Sequence, residues 1–235
     1  PTLNTYTITA KDTTGATVTA NASDTGNGGA SVVGAYEIYT GEDVQIPLTG
    51  WSAGTWSSGV WGTGGTSDKQ LRLWSQSNFG EYLIFGPRGG EIYYWDVTNG
   101  TSTRALELSD KFSGSASDVP TKQNFILVSD VSRFVFCFGV NVQGSGTFDP
   151  MLVRWSDQED PANWSPASTN QAGSIRLSRG SEIITAKQSR QEILVWTDSS
   201  LYSFQYQGAP IVWSTQLIGD NISIASQNAV AFSSG

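Results

Sequence analysis

Along most of this chain apolar residues alternate with polar ones or run together for four or five positions, with Gly, Pro, Asp, Asn and Ser clustered between the runs. Alternation at period two marks a half-buried strand, and a short unbroken apolar run marks a strand buried on both faces. Residues 1–41 follow the first pattern: TYTITA alternates, KDTTGA is a turn, TVTANAS alternates again, and TGNGGAS leads into VVGAYEIYT. Threonine suits such strands, because a β-branched side chain fits a pleated surface. Aromatic mass is scarce there, so a small β module resting on a neighbour is predicted.

Residues 42–68 form a Gly- and Trp-rich linker, and from residue 69 to 235 a longer pattern recurs. LRLWSQ, EYLIFG, the turn PRGG and EIYYWDV make one unit. FILVSD, RFVFCFG, the loop NVQGSGTFDP and MLVRWSD make the second; EIITAKQ, EILVWT, the turn DSS and LYSFQY make the third. Within Gly86-Pro87-Arg88-Gly89-Gly90, proline presets φ and glycine accepts positive φ, as a hairpin connection requires. Leu71 to Ile126 is about 55 residues and Ile126 to Ile183 about 57. A period of that length with several strands per unit predicts an all-β protein built of β-propeller blades. A two-sheet β-sandwich offers similar strands, but repetition of the whole unit favours the propeller. TRALELS, SIRLS and the pair WSTQLIG and NISIA are candidate outer strands, and NAVAFSSG reads as the first strand of a fourth unit. Three blades close no ring, so the propeller is incomplete in this chain.

Composition narrows the chemistry. A chain of 235 residues buries roughly 70% of its unfolded surface and needs no covalent staples. Cys137, alone in the apolar run FVFCFG, reads as a buried small hydrophobe. Histidine is absent, which removes Ser-His-Asp and Cys-His catalysis and every His-based metal site. The net charge of −8 argues against gripping a phosphate backbone. No apolar stretch is long enough to span a membrane, and no signal peptide opens the sequence. With Pro1 at one end and Gly235 at the other, the chain reads as a piece of a longer protein.

Two stretches invite a site. Trp51, Trp56 and Trp61 recur every five residues in GWSAGTWSSGVWG, a period that fits neither helix nor strand. They are candidates for an interface or a glycan platform; the plainer expectation is that they lie on an adjacent β surface and bury apolar area. Asp157, Glu159 and Asp160 sit in WSDQEDPANW, between Trp155 and Trp164 and before Pro161. Clustered carboxylates can bind calcium or transfer protons, but the alternating D-x-D-x-D-G order is missing and no arginine cluster accompanies them. A structural turn is predicted instead, with Asp capping amides, Pro161 stopping the strand and the two tryptophans clamping the turn. The segment resembles the S-x-D-x-G-x-x-W box of glycosidase propellers, without its glycine and with one residue more before the tryptophan. Arg88, Arg104, Arg154, Arg176, Arg179 and Arg190 are scattered singly and read as solvated, with Arg176 and Arg179 candidates for a phosphate or a partner carboxylate. The Gly-rich runs lack phosphate-loop order.

From about Ala35 to Gly235, and above all in GWSAGTWSSGVWG, LRLWSQSNFGEYLIFGPRGGEIYYWD, RWSDQEDPANWSP and RQEILVWTDSSLYSFQYQGAP, the chain resembles the tail tubular B (nozzle) and tail-hub structural proteins of short-tailed bacteriophages. The resemblance implies a β-propeller core and a homo-oligomeric ring, typically a hexamer, around the channel through which DNA leaves the capsid. It implies contact with other tail proteins, passage of double-stranded DNA without sequence-specific binding, location in the virion, and no catalytic residue, cofactor, metal or membrane. Residues 1–34 match it least. An acidic wall would repel a duplex bearing roughly one charge per 1.7 Å and let it slide. The rival expectation, from another class, is a carbohydrate-binding β-propeller that uses the Trp-rich stretch and the acidic loop.

Overall fold

The structure, a computed structural model, describes residues 8–11, 16–18, 73–111, 118–130 and 132–231. The chain divides into two compact units, Pro1–Tyr39 and Thr40–Gly235. In the first, β1 (Ile8–Lys11) and β2 (Ala16–Val18) pair antiparallel, with Ala10 opposite Thr17, as the TYTITA and TVTANAS alternation predicts. The Trp-rich linker and Leu71 and Arg72 lie outside the described residues.

The second unit is all-β: three four-stranded antiparallel sheets and almost no helix. The first sheet runs β3 (Trp74–Phe79), β4 (Tyr82–Pro87), β5 (Tyr93–Asp96), β6 (Leu106–Glu107), followed by one helical turn, α1 (Leu108–Lys111). The second runs β7 (Gln123–Val128), β8 (Val135–Asn141), β9 (Phe148–Trp155), β10 (Gly173–Arg176). The third runs β11 (Ile183–Gln188), β12 (Glu192–Thr197), β13 (Ser200–Gly208), β14 (Val212–Asp220). Each sheet is a meander in strict chain order, and the outer strands arise within TRALELS, SIRLS and WSTQLIG. NISIA departs from expectation. Asn221 takes positive φ and the amide of Ile222 donates to the Ser199 carbonyl, so residues 221–225 form a turn beside the sheet and no strand. Of NAVAFSSG, residues 228–231 form no strand and the rest lie outside the described residues.

The sheets pack face to face with the second in the middle. Along β7, Phe125 and Leu127 enter one core while Ile126 and Val128 enter another; along β8, Phe136 and Phe138 part from Val135 and Cys137 in the same way. The aromatic core joins the second sheet to Ile183, Ile193, Val195, Tyr202 and Phe204 of the third. The aliphatic core joins it to Phe79, Ile84 and Tyr94 of the first. Residues 123–128 and 135–141 are therefore buried throughout, which is why they read as unbroken apolar runs.

The first strands of the sheets lie side by side. Ser75 and Ser77 Oγ on β3 accept the Ile126 and Val128 amides of β7 at 3.0 and 3.1 Å, pairing donors on the edge of the second sheet. At the starting end of these strands, the β4–β5 turn meets β7: the Gly89 amide donates to the Gln123 carbonyl at 2.6 Å, and Gln123 Nε2 donates to the Pro87 carbonyl at 2.9 Å. Gly86 permits this approach, because a Cβ there would lie 2.6 Å from the Glu91 carbonyl oxygen and 2.7 Å from Gln123 Nε2. From the same turn, Arg88 reaches Glu182 at the head of the third sheet, 4.0 Å away.

Candidate functional site

The acidic segment is a tight turn between β9 and β10. Asp157 Oδ1 accepts the amides of Gln158 and Gln171, both at 2.8 Å, and Asp160 Oδ1 accepts the Ala162 amide at 3.0 Å. The Glu159 amide donates to the Arg133 carbonyl at 3.0 Å, tying the turn to the connection between β7 and β8. Glu159 itself stands at φ +60°, a left-handed conformation that suits glycine better. Two of the three carboxylates are thus spent on backbone amides, as helix-free turns commonly require.

The flanking tryptophans anchor the turn on opposite faces of the second sheet. Trp155 joins the aromatic core and donates from Nε1 to the Gln171 carbonyl at 2.8 Å. Trp164 joins the aliphatic core, 1% exposed, and donates to the Pro161 carbonyl at 2.8 Å. Pro161 therefore has a further part to play: its carbonyl receives the indole that holds the turn down.

Outside the turn, a shallow polar cleft of about 470 Å³ is lined by Asp157, Gln158, Glu159, Thr169, Asn170 and Gln171. Gln171 Nε2 donates to Gln158 Oε1 and Gln171 Oε1 accepts from the Tyr206 hydroxyl, both at 3.0 Å. Tyr206 in turn borders a second depression with Arg190, Glu192 and Gln205 on the third sheet. Among the described residues no group of three or more His, Cys, Asp or Glu side chains is arranged to hold a metal ion. Trp51, Trp56 and Trp61 lie outside the described residues, so nothing here joins them to the acidic turn.

One arginine is far less solvated than its spacing suggests, while Arg104, Arg176, Arg179 and Arg190 are exposed as expected. Arg154, expected on a surface, is 1% exposed, and its guanidinium lies 2.7 Å from the Asp118 carboxylate. It also donates to the carbonyls of Asn141, Asp118 and Trp164. The reason is strand parity: Arg154 sits opposite Cys137 of β8, on the face turned toward the first sheet. Asp118 and Asn141 were not singled out in the sequence, yet they complete the polar network. Asn141 Oδ1 accepts the Thr121 and Lys122 amides, and the Asp118 carboxylate accepts the Gly144 amide. Arg176 lies on the outermost strand of its sheet and pairs with Asp149 at 2.7 Å, a carboxylate of this same chain. The Arg179 amide donates to the Tyr202 hydroxyl. Cys137 is fully buried, and burial pushes its thiol pKa well above the ordinary value.

No protein-family model matches this sequence, and no curated protein matches it significantly.

Proposed function

We propose that this chain supplies consecutive blades of a β-propeller in a structural protein of a short-tailed phage tail, within the nozzle or hub ring around the DNA-exit channel. The propeller rests on one observation above all, the convergence of the sheets at their first strands. Arg88 of the first sheet comes within 4.0 Å of Glu182 of the third at the starting end of β7, although the whole second sheet separates their cores. Blades pack about an axis with their first strands innermost, and here β7 lies against both β3 and β11. On the far side of the third sheet, Thr185 Oγ1 of β11 donates to the Gln227 carbonyl at 3.0 Å, tying the chain that follows β14 back to the first strand of that sheet.

The tail role is supported by the long motifs of the sequence, among them LRLWSQSNFGEYLIFGPRGGEIYYWD and RWSDQEDPANWSP. It is supported also by how the clustered acidic residues are used, since Asp157 and Asp160 cap amides and the turn is a structural element. A net charge of −8 suits a wall along which duplex DNA slides. The chain acts through assembly, with no catalytic step. Mass spectrometry of purified virions of the encoding phage tests this. Peptides of this chain in tails, in amounts comparable with other tail proteins, are expected; their absence from tailed particles overturns it.

A second reading, a glycan-binding propeller, is favoured by the polar cleft beside the acidic turn. Its amides and the Tyr206 ring are groups that meet sugars in other proteins. Glycan arrays separate the two: a glycan bound by wild type and lost in Tyr206→Ala supports the second.

A further inference from the structure

The connection from β5 to β6 carries chemistry that neither reading of the chain uses. Residues 97–104 are exposed throughout. They hold Asn99 followed by Gly100, whereas every other asparagine among the described residues precedes a residue with a side chain. Asn78 precedes Phe79, Asn163 precedes Trp164 and Asn221 precedes Ile222. Such a side chain obstructs the approach of its own amide nitrogen to the asparagine carboxamide; glycine, with no Cβ, leaves that approach open. At Gly100 a Cβ would meet nothing within 4 Å, so surrounding atoms do not crowd this nitrogen either.

We infer that Asn99 and Gly100 form a site of spontaneous deamidation, at which water converts the asparagine to aspartate and isoaspartate. The Gly100 nitrogen, its proton given up to solvent, attacks Cγ of Asn99, and ammonia leaves as a succinimide ring closes. Water then opens the ring at one of its two carbonyls. Opening at Cγ gives aspartate in the original chain. Opening at the main-chain carbonyl carbon gives isoaspartate, with the chain now running through Cγ. In sum, a carboxamide and a water become a carboxylate and ammonium, with no change of oxidation state.

The local fold sets the rate. The Gly100 amide donates to the Val97 carbonyl at 3.1 Å, closing a short 3-10 turn over Val97–Asn99, and is held from its target while that bond lasts. The turn is a weak restraint, since it has three residues, none buried, and 3-10 hydrogen bonds have poorer geometry than those of an α-helix. Its cap is Asp96, whose Oδ1 accepts the Thr98 amide at 2.9 Å and the Thr98 hydroxyl at 2.6 Å. Thr103 adds a staple, its hydroxyl donating to the Asn99 carbonyl at 3.0 Å. So exposed an element opens locally at little cost, and each opening frees the Gly100 nitrogen. Isoaspartate adds a carbon to the main chain between the Val97 carbonyl and the Gly100 amide, so the turn does not re-form as it was. It also adds a negative charge to a chain already at −8. The strand that follows is β6, the two-residue edge of the first sheet, so the change loosens that edge.

Peptide mapping by mass spectrometry tests this on the full-length protein, incubated in mildly alkaline buffer and sampled over weeks. Asn27-Gly28, the other such pair in the sequence, is read separately in its own peptide. The peptide holding Asn99 is expected to gain the mass that separates an acid from its amide and to split into two chromatographic forms, isoaspartate the more abundant. Removing the cap with Asp96→Ala is expected to raise the rate about fivefold, the effect of losing a typical N-cap, and unfolding in urea to raise it further. Thr103→Val, at an exposed position, is the second loosening variant should Asp96→Ala fail to fold by circular dichroism. In Asn99→Gln, where a larger ring has to close, this peptide is expected to keep its mass. Native protein still unmodified at Asn99 when the urea-unfolded sample has converted overturns the proposal. Equal rates in wild type, the loosened variant and urea overturn control by the turn and leave the modification site standing. Conversion that persists in Asn99→Gln overturns the assignment to Asn99.

Discussion

Arg154 and Asp118 form an ion pair at 2.7 Å on the inner side of the second sheet, with the guanidinium 1% exposed and the carboxylate 21%. Removing one partner of such a pair leaves a charge buried and uncompensated. Asp118→Ala should therefore destabilise the fold by about 2–4 kcal/mol, toward the lower part of the range for broken buried pairs because carbonyls of Asn141 and Trp164 still receive the guanidinium. Asp118→Asn, which still accepts hydrogen bonds and tolerates positive φ, should cost less. Urea denaturation of the three proteins checks both the size and the order.

Glu159 offers a change in the opposite direction. Its φ of +60° strains a residue with a side chain. Glu159→Gly should leave stability unchanged or raise it by up to about 1 kcal/mol, the relief of the left-handed strain set against the added chain entropy of glycine. A thermal melt lower than wild type by several degrees would show that the carboxylate does structural work.

Cys137 reports on the seam between the first and second sheets. Fully buried, with its pKa raised by burial, it holds its proton and meets no reagent while the sheets stay packed. An aromatic disulfide reagent at neutral pH should label it only as fast as the protein opens, and at once in denaturant. Prompt labelling of the native protein would mean that the seam breathes.

Asp198 sets one acid-sensitive contribution. Hydrogen bonds from the Ser181 hydroxyl, and then from the Ser181 amide, hold its pKa below the ordinary carboxylate value. A depressed folded pKa adds stability above the unfolded pKa, and that stability is lost as the pH falls through the folded value. Ser181→Ala should thus melt below wild type at neutral pH, and the gap should narrow in acid below about pH 4. A gap independent of pH would assign the effect of Ser181 to packing.

The strands were legible because burial on two faces and burial on one write different patterns. Residues 134–140 read as a central strand, and the alternating flanks as outer ones. NISIA misled because alternation records which side chains could share a face, whereas the turn at Asp220 and Asn221 and the Ser199 carbonyl decide where Ile222 goes. The acidic turn was legible in part: Asp157 and Asp160 accept amides one and two residues on and Trp164 donates to Pro161, whereas the bonds of Asp157 and Trp155 to Gln171 span 14 and 16 residues. Arg154 was not, since its partner lies 36 residues away in a loop. Parity did carry a signal there, for Leu152 and Arg154 share one side of β9 and Leu152 packs in the aliphatic core. The links between sheets, from Ser75 to Ile126 and from Arg88 to Glu182, join single polar residues across distances that no periodicity records.

Electron-microscope class averages of the full-length protein, with native mass taken on the same sample, test the structural-ring assignment most directly. A closed ring of copies about an open centre wide enough for duplex DNA, its mass a whole multiple of the chain, is the expected result. Single compact particles without rotational symmetry, at a mass of one chain whatever the concentration, would contradict it.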